Sequence, residues 1–260
     1  MKKRILSAVI AIFVIVCLSV SALAEEETPT EYNNMVSLLM EGETGTVLQH
    51  NGGYEKVAQG TLNKLMTVLL TAEEIESGGL SINDVVTVSS NANAQTGAVV
   101  WLMPGEEITI EELLKSVIIG NANDASVALA EIVGGNEEEF TGMMNARAFE
   151  LGMRNTVFKN PAGYDCAGQY STPYDMALLC RELLKHEFLY KIMNTWIDRV
   201  RGGQTEIVNE NRLVRTYEGV IGLKASHTEA SGYCLALAAE RNGKLYICLL
   251  YTSPSPRDCS

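Results

Sequence analysis

Three short stretches of the sequence carry residue types that could cooperate in acyl-transfer chemistry. The stretch TLNK, residues 61–64, places the hydroxyl of Thr61 and the amine of Lys64 about one helical turn apart. This arrangement suits a nucleophile whose proton is removed by a neighbouring amine. The other two stretches are NAND, residues 121–124, and KASHT, residues 224–228, which supply amide, ammonium and hydroxyl groups.

Each stretch alone has an ordinary structural explanation, such as a solvated lysine on a helix or an asparagine that caps one. Together, and in this order, they resemble the motifs S-x-x-K, S-x-N and K-T-G of serine penicillin-binding proteins. The closer match is to the low-molecular-mass D-alanyl-D-alanine carboxypeptidases, over roughly residues 33–251. The stretches that carry this resemblance include MNARAFELGMRNTVFKNPAGYD, NDASVALAE, STPYDMALL, NENRL and GLKASHTEASGYCLALAAERNGK.

The resemblance implies a fold and a substrate class. The expected fold class is α+β, of the β-lactamase/transpeptidase type, with an antiparallel sheet flanked by helices plus a helical lobe. The expected partner is a peptidoglycan stem peptide that ends in D-Ala-D-Ala, and β-lactams are further candidate ligands. The resemblance implies no cofactor.

The first two motifs match the family pattern only in part. By resemblance, Thr61 stands at the position of the nucleophilic serine and Lys64 at the position of the residue that takes its proton. Asn121 stands where a second serine relays protons, and Asn123 where the family positions its substrate. Threonine keeps the hydroxyl, but its methyl group stiffens χ1 and crowds the path of attack. An asparagine side chain donates and accepts hydrogen bonds but cannot pass a proton as a hydroxyl does.

The third motif keeps its lysine and changes the two residues after it. By resemblance, Lys224 and Ala225 stand where lysine and threonine hold the substrate's carboxylate, and Ser226 stands at a glycine. Ala225 lacks a hydroxyl for the carboxylate, and Ser226 adds a side chain where the substrate should lie against bare backbone. His227 follows directly, and is either a donor on the wall of the cleft or a surface residue on a turn.

Three interpretations of these changes remain open at the level of sequence. The first is a carboxypeptidase, intact or slow, that acts through Thr61. The second is a non-catalytic peptidoglycan-binding pseudoenzyme, and the third is a damaged paralogue or fragment. The scaffold stretches match the family well while the chemical residues differ, and this contrast favours retained binding over random decay. Acylation by penicillin separates the first interpretation from the other two.

The amino terminus has the pattern of a secretory signal peptide, residues 1–24. Three basic residues precede a long apolar run, and Ala22 and Ala24 are small residues at the two positions read by a signal peptidase. The alternative is an uncleaved membrane anchor, although the run is shorter than the ~18–20 residues needed to span a bilayer. We therefore expect an exported protein with one domain at 25–251, truncated at its C-terminal end, and a polar Ser/Pro-rich tail at 252–260 that is disordered or artefactual.

The charge balance narrows the classes of partner. The formal net charge is −12, and cleavage of the signal would remove three positive charges and leave −15. A surface this acidic repels nucleic acid and anionic lipid. We therefore expect neutral or cationic partners, or anionic ones that are bound through a local basic pocket.

Cysteine and histidine usage gives no sign of a disulfide framework or a metal site. Five cysteines follow the signal at irregular spacing. A hairpin around Asn242-Gly243 would place Cys234 opposite Tyr251, so Cys248 would point to the other face of the sheet and could not bridge to Cys234. The three histidines lack metal-ligand spacing, so we expect no metal.

The order of predicted elements is strands, then helices, then strands, which is typical of an α+β fold. Strands are predicted at 34–40 and 45–49, with the nucleophile-bearing helix after them. Further helices are predicted over the middle of the chain, one of them opened by a Thr109/Glu112 capping box. Predicted strands at 217–224, 232–239 and 245–251 close the chain, and the terminal strands most simply join one sheet. The candidate residues would then line a cleft between sheet and helical lobe.

Overall fold

The computed structural model describes residues 35–252, in which nine strands and eight α-helices alternate with two 3-10 turns. The strands are β1 (Met35–Glu41), β2 (Val47–Asn51), β3 (Val85–Thr87), β4 (Glu107–Thr109), β5 (Ile197–Val200), β6 (Thr205–Val208), β7 (Val220–Thr228), β8 (Gly232–Arg241) and β9 (Lys244–Thr252). The helices are α1 (Lys64–Ser77), α2 (Ser90–Asn93), α3 (Ile110–Ile118), α4 (Asn123–Gly134), α5 (Glu137–Glu150), α6 (Pro173–Leu183), α7 (Tyr190–Met193) and α8 (Leu213–Thr216). The 3-10 turns are Gly60–Asn63 and Glu187–Leu189. The predicted signal peptide, and the tail beyond Thr252, lie outside the described residues.

The terminal strands join one antiparallel sheet, as predicted, in the order β2-β1-β9-β8-β7. Met35 at the start of β1 pairs with Thr252 at the end of β9, and Leu38 pairs with Leu249. Helix α6 packs on β1 and β9, and α1 packs in turn against α3, α4 and α6. The α+β prediction is therefore confirmed, with the sheet on one side and a helical lobe on the other.

The hairpin of β8 and β9 has the predicted register. Asn242 and Gly243 have φ angles of 52° and 70°, the left-handed conformation that a type I′ turn requires. Arg241 consequently pairs with Lys244, and Cys234 pairs with Tyr251. The four cysteines between residues 35 and 252 are all free thiols.

The helix boundaries follow the capping signals in the sequence. The predicted capping box opens α3, with the Thr109 hydroxyl accepting from the Glu112 N–H. Asn136 and Thr172 cap α5 and α6 in the same manner. Gly78, in the left-handed conformation, ends α1 as glycine commonly does at the C-terminus of a helix.

Three features differ from the sequence prediction. Thr61 lies in the 3-10 turn that precedes α1, and Lys64 is the first residue of the α-helix itself. Strand β7 extends to Thr228, so the third motif lies inside a strand and not at its end. The small sheets β3–β4 and β5–β6 were not predicted, because strands of three or four residues are too short to show a periodic apolar pattern.

Asp124, near the start of α4, connects the helical lobe to the loop formed by residues 96–102. Its carboxylate is buried and accepts from the backbone N–H of Val100, at 3.1 Å, and of Leu102, at 3.0 Å. These two amides therefore have a partner although no strand pairs with them. Asp124 fixes the loop at 96–102 against the start of α4.

None of the helices between residues 35 and 252 combines the length and the apolar character that crossing a lipid bilayer requires.

Replacing Asp124 with alanine should destabilise the domain strongly, because two buried N–H groups lose their acceptor. The expected loss in the free energy of unfolding is about 2–4 kcal/mol, measured by urea denaturation. Glu206→Gln is the control: this surface carboxylate pairs with Arg199, and its loss should change stability by less than about 1 kcal/mol. A loss below about 1 kcal/mol for Asp124→Ala would show that the loop does not depend on this carboxylate.

Candidate active site

The three stretches singled out in the sequence meet at one place. The 3-10 turn that carries Thr61 packs on β7 and β8. The Thr61 N–H donates to the Ser226 hydroxyl at 2.9 Å, which joins the first stretch to the third. The Lys64 ammonium donates to the Asn123 side-chain oxygen at 2.7 Å, which joins the first stretch to the second. Residues more than 160 positions apart in the sequence therefore line one site.

Lys64 is completely buried and its Nζ is bound by neutral acceptors. Besides Asn123, it donates to the backbone carbonyl of Ala162. Burial lowers the pKa of Lys64 well below its ordinary value, and the positive charge of Lys224 lowers it further. The charges of Glu210 and Asp124 act in the opposite direction but do not cancel the effect of burial. A neutral amine, able to accept a proton, is therefore more accessible here than at a surface lysine.

The Thr61 hydroxyl points into the protein without a hydrogen bond. Its Oγ1 is shielded from solvent and has no partner among residues 35–252. The family resemblance implies a hydroxyl–amine hydrogen bond, but the Lys64 donors go to Asn123 and Ala162. The nucleophile candidate and its base are thus in the same site without being joined.

Gly60 allows Ser226 to approach the Thr61 turn closely. Gly60 has a φ angle of +50°, and a Cβ at this position would lie 2.6 Å from the Ser231 hydroxyl and 2.9 Å from the Ser226 hydroxyl. Any larger residue would push these two serines away. The hydrogen bond from Thr61 to Ser226 therefore depends on the glycine before the nucleophile.

The second stretch uses its two asparagines differently. Asn123 bridges two segments, because its amide also donates to the Thr96 carbonyl at 2.6 Å. Asn121 has a φ angle of +56°, a left-handed conformation that asparagine tolerates better than most residues. Its Nδ2 approaches a Glu210 carboxylate oxygen at 3.4 Å, and its Oδ1 has no partner in the described part of the chain. Asn121 thus presents one unsatisfied acceptor in the site.

Lys224 is a second buried ammonium group. Its Nζ donates to the Val117 carbonyl at 3.1 Å. Burial lowers the pKa of Lys224 to about 8, and the negative charge of Glu210 opposes this shift. At neutral pH this lysine is still mostly charged, so it can attract a carboxylate from within the site.

Three further residues of the third stretch border an open cavity of about 1110 Å³. Ala225 and Ser226 contribute one part of its wall. His227 also lines it, and its exposed ring lies 4.2 Å from the ring of Tyr233. His227 therefore lies on strand β7 and at the wall of this cavity, and not on a turn.

Three important groups were not predicted from the sequence. They are the carbonyl groups of Ala162 and Val117, which accept from the buried lysines, and the carboxylate of Glu210. A backbone carbonyl carries no signal in the sequence, because every residue has one. Glu210 lies in the stretch NENRL, which was recognised as a resemblance but without a role for its acid.

The arrangement provides the groups that acyl transfer without histidine would use. These are a hydroxyl, a buried amine with a lowered pKa, and a second ammonium for an anionic end of the substrate. Between residues 35 and 252, no three His, Cys, Asp or Glu side chains are grouped as metal ligands would be.

Comparisons with known proteins place the chain in one family. The family model described as "D-alanyl-D-alanine carboxypeptidase" matches residues 23–251. The D-alanyl-D-alanine carboxypeptidase DacF of Bacillus subtilis is 36% identical over 98% of this chain, which spans 68% of that protein's length. DacC of Escherichia coli is 32% identical over 85% of this chain, and the match covers 56% of DacC.

A solved structure extends the similarity to three dimensions. Penicillin binding protein 5 from Haemophilus influenzae superposes with a TM-score of 0.81 and 26% identity, over 89% of this chain and 68% of that one. The β-lactamase/transpeptidase type of fold is thereby confirmed. Because the family model covers nearly all of the residues that form the fold and the site, the chain belongs to the D-alanyl-D-alanine carboxypeptidase family.

Proposed function

We propose that this protein binds peptidoglycan stem peptides ending in D-Ala-D-Ala and removes the last D-Ala slowly through Thr61. The observation that carries this proposal is the buried Lys64 amine, with its lowered pKa, in the site that contains the Thr61 hydroxyl. Membership of the family supports the choice of substrate. The name of the solved relative, a penicillin binding protein, supports β-lactams as further ligands.

The proposed reaction proceeds through an acyl-enzyme. Thr61 Oγ1 adds to the carbonyl carbon of the penultimate D-Ala while its proton passes to the neutral Lys64 amine. The C–N bond then breaks, and the departing D-Ala amine takes that proton from Lys64. The ester left on Thr61 is hydrolysed by water, which releases the shortened peptide and restores the hydroxyl. Lys224 attracts the terminal carboxylate throughout.

Three features of the site are expected to make this reaction slow. The Thr61 methyl group restricts the rotation that would bring its hydroxyl to the Lys64 amine. The Thr61 N–H, which would stabilise the negative oxygen of the tetrahedral intermediate, already donates to Ser226. Ala225 offers no hydroxyl to the substrate's carboxylate.

The second candidate function is peptidoglycan binding without catalysis. Its specific support is the missing hydrogen bond between Thr61 and Lys64, because an amine turned towards Asn123 and Ala162 is not placed to remove the hydroxyl proton. In this alternative, Lys224 and Lys64 would provide positive charge for a terminal carboxylate.

We further propose that the protein acts outside the cytoplasm. The support is the pattern of basic residues, apolar run and small residues over positions 1–24, together with a substrate that belongs to the cell wall.

Incubation with excess benzylpenicillin should give a covalent adduct on Thr61, detected as an increase in intact mass. The parent protein should be acylated slowly and Thr61→Ala not at all. Thr61→Ser should react about tenfold faster or more, because removing the methyl group improves alignment with Lys64. A folded parent and a folded Thr61→Ser variant that both remain unmodified would support the binding function instead.

Replacing Ser226 with glycine should accelerate acylation, because it frees the Thr61 N–H for the developing oxyanion. One such donor contributes about 10²–10³-fold in comparable enzymes, so an increase of about tenfold or more is expected in the rate of adduct formation. Ser231→Ala is the control, because this buried serine also borders Gly60 but does not accept from Thr61. A rate equal to the parent's would show that the hydrogen bond does not limit the reaction.

The acylation rate should pass through a maximum as the pH is varied. It should rise with pH as Lys64 loses its proton, at a pH well below the ordinary lysine value of about 10.4. It should fall above about pH 8, where Lys224 loses the charge that attracts the penicillin carboxylate. The descending limb should be absent in Lys224→Gln, and its persistence there would assign it to another group.

A further inference from the structure

The cavity beside the third stretch contains opposite charges that do not pair with each other. We call it the side cavity; beyond Ala225, Ser226 and His227 it is lined by Trp196, Val208, Asn209, Glu210, Arg212, Arg215, Thr216 and Tyr233. Its acid is Glu210, and its bases are Arg212 and Arg215. Among residues 35–252, no ion pair includes any of these three.

The arginines of the side cavity form no ion pairs, whereas arginines on the nearby surface do. Arg199 in β5 and Arg201 in the turn after it pair with Glu206 and Glu106. By contrast, Arg215 lies over the ring of Trp196, with 5.9 Å between its Cζ and the ring centroid. This stacking holds a guanidinium at the cavity wall with its donors still available.

Glu210 faces the catalytic side of the same cavity. It is close enough to Asn121 for the 3.4 Å approach of Nδ2 to its carboxylate. Its negative charge also acts on Lys224, since it opposes the fall of that lysine's pKa. Glu210 thus lies on the side of the cavity next to Asn121 and Lys224. Arg215 lies on the part of the wall that contains Trp196.

Separated charges of both signs select a ligand that carries both. A ligand with only an ammonium group would meet the two arginines, and a ligand with only a carboxylate would meet Glu210. A group that bears an ammonium and a carboxylate on one carbon satisfies both sides. The cavity volume of about 1110 Å³ is ample for such a side chain.

We infer that the side cavity is a specificity subsite for a peptide side chain that ends in an amino-acid zwitterion. Glu210 receives the ammonium, and Arg215, assisted by Arg212, receives the carboxylate. The inference rests on the proposed function, because Ser226 belongs both to the cavity wall and to the contact with Thr61. A substrate bound with its reacting carbonyl at Thr61 would extend its preceding residue towards this cavity.

The experiment compares two synthetic pentapeptides that differ only in the third residue. One carries diaminopimelic acid, whose side chain ends in both an amine and a carboxylate, and the other carries lysine, whose side chain ends in an amine alone. Both end in D-Ala-D-Ala, and their affinities for the full chain are measured by calorimetry. The diaminopimelic peptide should bind about tenfold more tightly, the effect of one added charge-assisted hydrogen bond.

Two variants with matched controls assign this preference to the cavity. Glu210→Gln and Arg215→Gln should each reduce it to about twofold or less. Arg154→Gln is the control for Arg215, because Arg154 also lies over an aromatic ring, that of Phe149, outside the cavity lining. Glu218→Gln is the control for Glu210, and both controls should keep the parent's preference.

Equal affinity for the two peptides, no binding of either, or a preference unchanged in both cavity variants would overturn the subsite. These outcomes are separate from the test of catalysis, because penicillin lacks the zwitterionic side chain. Acylation by penicillin without peptide discrimination would leave the proposed reaction standing and remove the subsite. Peptide discrimination without acylation would leave the subsite in a protein that binds but does not react.

Discussion

The burial of the Lys64 ammonium is the constraint that determines how the rest of the site is arranged. An amine removed from water must find acceptors inside the protein, and it finds them in the Asn123 side chain and the Ala162 carbonyl. Asn123 is held in turn by the Thr96 carbonyl. One side chain on α1 thereby fixes the start of α4, the loop before it and the segment around Ala162.

The second buried ammonium makes this constraint more severe. Lys224 lies close enough to lower the pKa of Lys64, and neither lysine forms an ion pair with a carboxylate among the described residues. Two like charges in one interior are costly, and the surrounding apolar core must offset that cost. The arrangement is easier to understand as a requirement of ligand binding or proton transfer than as a source of stability.

Much of the fold could be predicted because local signals coincide with tertiary structure. The Asn242-Gly243 turn fixes the register of its hairpin, and Thr109 with Glu112 marks the start of α3. The candidate residues of the site were chosen by their resemblance to the three motifs of the family. The hydrogen bond from Thr61 to Ser226 was not, because the sequence does not show that Thr61 lies in a 3-10 turn pressed against β7. The lack of ion pairs at Glu210, Arg212 and Arg215 could not be predicted either, because it depends on distances between side chains that are set by the tertiary structure.

The position of β9 has a consequence for how the chain acquires its structure. β9 is the last strand along the described part of the chain, yet it is the central strand of the sheet, between β1 and β8. The first hairpin consequently has no neighbouring strand until residues 244–252 have left the ribosome. Its pairing with β9 closes a loop of some two hundred residues, which is entropically demanding and slow. The complete five-stranded sheet therefore forms only after the last described strand has been synthesised.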